Sequence, residues 1–231
     1  MKQGIYLVIS SYLLVFFTAC NDTPSTVTAN ALQAVSTPAK SFTGLFYYDK
    51  EVTRFVDCTD GLSYALVDST SKLKQFYADA TQMMPCQGEP VWGAVQGRID
   101  ANTSQLTVLA IDSIAAMNKL NACIPFDYWC SGTEPFWSLS ISKTGKAAYF
   151  KDLGTEKGYS FDYSEPMQQN GGLLYTLVNK SDPKSQMTIL IKKEDCSDGM
   201  SDISYQYSAS IQFRGQKWKG CAEKWGEVHT E

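Results

Sequence analysis

The chain has 231 residues, a formal net charge of -4 and an acidic pI near 5.1. That balance argues against nucleic acid as a partner, because neutralising phosphates takes a basic face. The single histidine, His229, lies in the tail, so no Ser/His/Asp or Cys/His arrangement and no histidine metal site is expected in the core.

The N-terminus reads as a targeting segment. Lys2 precedes an apolar run from Ile5 to Phe17, broken by Ser10 and Ser11. The run is too short for a bilayer, which takes about 20 apolar residues. Phe17-Thr18-Ala19-Cys20 then sets small residues directly before a cysteine. The pattern resembles the signal peptide and lipobox of bacterial lipoproteins. That resemblance implies a signal peptide over residues 1–19, cleavage before Cys20, and lipid (palmitate among its chains) on Cys20. Each buried lipid methylene contributes about 0.8 kcal/mol to anchoring. Asn21, in place of Asp, implies by the same resemblance an outer-membrane lipoprotein facing the periplasm or the surface. An ordinary secretory signal, with Cys20 a plain thiol, is the competing reading. Residues 20–41, rich in Thr, Ser, Ala and Pro, read as a disordered tether.

Six cysteines remain beyond Cys20. An even count in an exported chain reads as three disulfides, whose connectivity the count does not fix. Pairing in sequence order gives Cys58–Cys86, Cys123–Cys130 and Cys196–Cys221. Metal ligation would need close spacings such as C-x-x-C, and there are none. No metal or other cofactor is expected.

Residues 42–112 form a first unit. Thr43 to Tyr48, Val52 to Val56 and Leu62 to Val67 read as strands, with Asp57 to Gly61 as a turn. Ser69-Thr70-Ser71 offers helix caps. Leu73, Phe76, Tyr77, Ala80 and Met84 then recur on one helical face, and Pro85 stops the helix. Val91 to Ile99 and Leu106 to Ile111 are two further strands. Three strands, a helix and two strands is the order of a five-stranded OB barrel. Phe42-Thr43-Gly44-Leu45-Phe46-Tyr47-Tyr48, Phe55-Val56-Asp57-Cys58-Thr59-Asp60-Gly61-Leu62-Ser63-Tyr64 and Val91-Trp92-Gly93-Ala94-Val95-Gln96-Gly97 resemble the C-terminal OB domain of the NlpE envelope-stress lipoproteins. The N-terminal C-x-x-C domain of that family has no counterpart here, so copper sensing is not implied.

Residues 113–122 read as a short helix or linker, and residues 123–231 as a second unit. Alternation marks about seven strands: Phe136 to Ile141, Ala147 to Phe150, Tyr159 to Tyr163, Leu173 to Val178, Met187 to Lys192, Tyr205 to Phe213 and Lys217 to Cys221. The turns between them carry Gly, Asn, Asp and Pro. Gly132-Thr133-Glu134-Pro135-Phe136-Trp137, Cys196-Ser197-Asp198-Gly199-Met200-Ser201-Asp202 and Gly220-Cys221 resemble a bacterial lipoprotein family with G-[NT]-E-P-F-W, C-S-D-G-M-S-D and a final G-C. That resemblance implies architecture, not an activity. The expected fold class is all-β with one or two short helices: an OB-like five-stranded barrel, then an antiparallel β-barrel or sandwich.

For the motif residues the structural reading is favoured. Pro135 holds the chain extended, Phe136 or Trp137 packs inward, Glu134 accepts hydrogen bonds, and Asp198-Gly199 makes a turn. The competing reading is a ligand pocket using Glu134, Trp137, Asp198 and Asp202. No enzyme is expected, since neither a phosphate loop nor a nucleophile with its base is present. The expectation is a non-catalytic envelope lipoprotein that binds an envelope or host protein, or a glycan, as an adaptor in surface or stress sensing. A lipid-anchored inhibitor of a lysozyme-like hydrolase, using the loop Cys196 to Asp202, is the alternative.

Overall fold

The computed structural model describes residues 38–49, 51–81, 85–200 and 202–227. The expected signal peptide, Cys20, Met83, Met84 and His229 lie outside them, as does the tether up to residue 37.

Strands β1 (Lys40–Asp49), β2 (Glu51–Asp57), β3 (Ser63–Asp68), β4 (Val91–Asp100) and β5 (Gln105–Ala116) close a barrel in the order β1-β2-β3-β5-β4. Only the β3–β5 seam is parallel. Helix α1 (Leu73–Thr81) joins β3 to β4 and packs against β2, β4 and β5. Leu73 and Tyr77 of the helix meet Phe46, Phe55, Val91, Val95, Leu106 and Val108 inside. Burying each such side chain contributes about 1.5–3 kcal/mol. Gly44 and Gly93 face each other across β1 and β4, where a β-carbon would collide with the rings of Phe55 and Phe46. The helix cap falls chiefly to Asp68, one residue before the expected serine–threonine run. Its Oδ1 accepts from the amides of Thr70 and Ser71, and its Oδ2 from that of Leu73. Burial opposes its ionisation, but these bonds and the Thr70 hydroxyl outweigh it and lower the Asp68 pKa.

β5 does not stop near residue 112. It runs to Ala116 because β4 keeps pairing with it, out to Val91 opposite Ala116, across two bulges. Residues 113–116 are therefore strand rather than helix or linker, since a bulged strand bends with the barrel wall without giving up its ladder.

The second unit is a barrel rather than a sandwich. Its strands are β6 (Tyr128–Thr133), β7 (Phe136–Ser142), β8 (Ala147–Asp152), β9 (Lys157–Asp162), β10 (Met167–Gln169), β11 (Gly172–Asn179), β12 (Gln186–Ser197), β13 (Ser204–Phe213) and β14 (Gln216–Lys224). Chain neighbours other than β9 and β10 pair antiparallel, β14 returns to β6, and β9 pairs with β11, which closes an eight-stranded barrel. β10 adds to β11 outside that ring. Inward alternation on β13 supplies Tyr205, Tyr207, Ala209, Ile211 and Phe213. Phe150 sits among Trp137, Tyr159, Phe213 and Trp218, with ring centroids 5.0 to 6.5 Å from its own.

Of the three pairs expected in sequence order, Cys196–Cys221 forms, and the other two are corrected. Cys58 bonds Cys123 (Cα–Cα 5.2 Å) and Cys196 bonds Cys221 (Cα–Cα 5.6 Å), while Cys86 and Cys130 are buried free thiols. Cys130 shares the inward face of β6 with Tyr128 and Gly132, so it points into the core and away from Cys123. Cys86 lies against β8, its thiol 3.6 Å from the Phe150 carbonyl oxygen. Burial pushes both thiols up and keeps them protonated.

The two barrels meet through residues 86–90. The Tyr149 hydroxyl donates to the Gly88 carbonyl (2.8 Å), and the Ser160 hydroxyl donates to that of Gln87. Glu89 is 3% exposed and pairs with Lys151 of β8 at 2.7 Å. Its Oε2 is buried with no hydrogen-bond partner among the described residues.

Candidate functional site

Three sequence motifs converge at one end of the second barrel. The Glu134–Pro135 peptide is cis, and with Thr133 opposite Phe136 it forms the two-residue reversal of a type VI turn between β6 and β7. The expected extended segment is therefore a turn. Trp137 is the residue that packs inward, at 2% exposed, while Phe136 stays 52% exposed. The Trp137 indole lies over two glycines, Gly132 and Gly220, and its Nε1–H donates to the Lys219 carbonyl at 3.2 Å.

The second motif is the end of the β12–β13 hairpin. A register shift between Lys193 and Cys196 releases residues 194–195 from the ladder. The hairpin end then bends over β14, because the Cys196–Cys221 bond holds it there. The Thr133 hydroxyl donates to the Asp198 carbonyl at 3.0 Å, tying the hairpin to the β6–β7 turn. Gly199 takes φ +71°, the left-handed conformation a glycine adopts at low cost. The Asp198 carboxylate accepts from the Met200 amide (3.0 Å) and from the Tyr205 hydroxyl (3.4 Å).

Between the bent hairpin and the barrel wall lies an open cleft of about 390 Å³. Glu134, Glu194, Asp198, Ser208, Ser210 and Lys219 are among the residues that line it. The Ser208 hydroxyl donates to the Glu194 carboxylate. Of the four expected site residues, the structure brings Glu134 and Asp198 together. Trp137 lies beneath the cleft in the barrel core, and the exposed Asp202 is not part of its lining.

Sequence reasoning missed Glu194, Ser208, Ser210 and Lys219. The signal for two of them was present in β13, where large apolar residues alternate with small polar ones. Tyr207, Ala209 and Ile211 point in, so Ser208 and Ser210 point out. Lys219 is likewise the outward neighbour of inward Trp218.

Glu134 and Glu194 are both exposed. Paired acid–base chemistry uses two carboxylates held in unlike environments, one of them desolvated, and this pair does not meet that condition. The cleft presents carboxylates, hydroxyls and the Lys219 ammonium group. Comparison with family models, with curated proteins and with solved structures finds no match to the chain.

Proposed function

We propose that this is a non-catalytic lipoprotein of the cell envelope, anchored through lipid at Cys20 in the outer membrane, whose second barrel binds a partner at the cleft beside Glu134 and Asp198. The observation that carries the reading is the convergence of three separate motifs on one surface. Trp137 and the glycines beneath it set the turn, the Cys196–Cys221 bond sets the hairpin, and together they present carboxylates around an open cleft. A disulfide spent on shaping an exposed hairpin favours recognition, because pre-organisation lowers the ordering cost of binding. The OB-like barrel, with its resemblance to the NlpE C-terminal domain, supports a part in surface or stress sensing.

The test is affinity capture from envelope extract and host secretions with the lipid-free chain, residues 21–231. A Glu134→Lys, Asp198→Lys double variant serves as the control. A protein captured by the wild type and lost by the variant supports the reading. Equal capture by both removes the cleft from it.

A second reading, an inhibitor of a lysozyme-like hydrolase, is favoured by one feature. The stapled hairpin carries Met200 at its tip, 69% exposed, with the shape of a plug for a cleft. Lysozyme activity unaffected by micromolar protein would dismiss it.

A further inference from the structure

The cleft does not end at Lys219. A second depression of about 240 Å³, lined by Leu174, Leu190, Ser210, Gln212, Lys217 and Lys219 among others, shares Ser210 and Lys219 with it. The strand register explains the continuity. Leu174 lies opposite Leu190, Leu190 opposite Ser210, and Ser210 opposite Lys219, on four consecutive strands. The row crosses the sheet from β11 to β14. At about 4.8 Å per strand it covers about 14 Å, and Glu134 lies beyond its far end. Extended polypeptide rises about 3.3 Å per residue, so this length takes four to five residues.

The chemistry along the trough is ordered. Leu174 and Leu190 make one end apolar. Ser210 is a small floor, and Lys217 and Lys219 place positive charge in the middle. Glu134 lies beyond Lys219, and the Thr133–Asp198 bond brings Asp198 to that same end, which is negative, while Glu194 stands at Ser208 of β13 beside the middle of the row. None of the ion pairs among the described residues involves Lys217, Lys219, Glu134 or Glu194. A glycan would call for an aromatic face to stack on. Trp218 contributes to the floor but is 4% exposed, and Trp137 lies below it at 2%.

We infer that this trough binds an extended segment of polypeptide with charges of both signs: a cationic side chain against Glu134, an anionic one against Lys219, and apolar residues against Leu190 and Leu174. The inference rests on the reading of the second barrel as a binding module and adds what the module recognises. Charge order, rather than net charge, is what the site reads, because reversing the ligand's charges sets like against like at both positions.

The test is fluorescence anisotropy with a labelled, end-blocked hexapeptide, Lys-Ser-Glu-Ser-Leu-Leu, against residues 21–231. The charge-swapped peptide Glu-Ser-Lys-Ser-Leu-Leu is the comparison. The first is expected to bind at least about tenfold more tightly than the second. Ser210→Trp, which fills the floor from an exposed position, is expected to weaken binding about tenfold, and Lys219→Glu, which leaves each peptide one attraction and one repulsion, to abolish the preference between the two peptides. Circular dichroism and an unchanged melting temperature establish that both variants are folded. Equal binding of the two peptides, no binding of either, or binding indifferent to Ser210→Trp overturns the inference, as does displacement by a neutral oligosaccharide. Should partner capture respond to the Glu134 and Asp198 changes while the peptides show no preference, the binding module stands and only its peptide specificity falls.

Discussion

The ring of Trp137 rests on the backbone of Gly220. A β-carbon at Gly220 would lie 2.8 Å from the indole Cζ2 and would collide with the carbonyl oxygen of Ser131 on the neighbouring strand. The glycine of the final G-C pair is thus paired with the tryptophan of the first motif, and the indole N–H finds its acceptor 82 residues on, at the neighbouring Lys219. Gly220→Ala is therefore expected to cost about 1–3 kcal/mol through overpacking. Trp137→Ala is expected to cost about 3–5 kcal/mol through the cavity it leaves. Urea unfolding of each variant checks both, and an alanine at Gly220 without cost would show that the two strands separate freely.

The hairpin staple should be separable from the barrel. The Cys196–Cys221 bond closes a sequence separation of 25 residues, for which chain-entropy reasoning gives about 3 kcal/mol. Replacing both cysteines by serine is expected to lower stability by that order. It should also raise amide exchange in residues 194–200 far more than in β7 or β8. Exchange that rises evenly over the whole barrel would mean that the bond holds the fold rather than the hairpin.

Two buried thiols make a further expectation. Cys130 is enclosed in the core of the second barrel, and Cys86 sits in the joint between the barrels. Neither is expected to react with maleimide in the native chain, and Cys86 is expected to label first as urea is raised, because opening the joint uncovers it without unfolding a barrel. Mass spectrometry of labelled peptides gives the order, and simultaneous labelling would indicate that joint and barrel open together.

The Glu89–Lys151 pair gives a pH dependence of known sign. Burial raises the Glu89 pKa above the ordinary value, with the Lys151 ammonium acting against it. A raised carboxyl means that the folded chain favours the protonated form. This group's contribution is thus fully present below the ordinary glutamate range, about 4.3, and is lost as pH rises through the folded value. Asp68, Glu165 and Glu227 are shifted down and act the other way, so the informative quantity is a difference. Glu89→Gln is expected to gain on the wild type in urea midpoint between pH 4 and pH 7. A gap that narrows over that range would reverse the assignment.

The first barrel was legible because its signals are local. A helical face beginning at Leu73 between alternating strands leaves few topologies, and α1 and the five strands come in the expected order, with β5 alone running well past its expected end. In the second barrel, seven strands were readable by the same rule, but β6 was not. Tyr128–Thr133 contains a cysteine, a serine and a glycine that only their neighbours make into a strand: Cys130 fills core space, and Gly132 admits the Trp137 indole. Two of the three expected disulfides failed for a related reason, while Cys196–Cys221 formed as expected. Which cysteine faces which is set by strand direction and by the joint between barrels, both long-range. Trp137 was read as a possible pocket wall because a tryptophan beside Glu134 and Pro135 suggests one, and the turn sends its ring to the opposite side of the sheet. Alternation places Ser210 and Lys219 on the outward face, but nothing in it marks them as part of a cleft, since a small residue beside a lysine there is ordinary until the hairpin folds over it.

The Cys58–Cys123 bond also determines how the chain carries load. It joins the turn after β2 directly to the segment that leads into the second barrel and bridges a sequence separation of 65. A pull applied at Lys40 reaches the second barrel through β1, β2 and one covalent link. Under tension β3, α1, β4 and β5 lie on a slack branch, and the whole first barrel pays out only the short run of chain from Lys40 to Cys58 before the force bears on its neighbour.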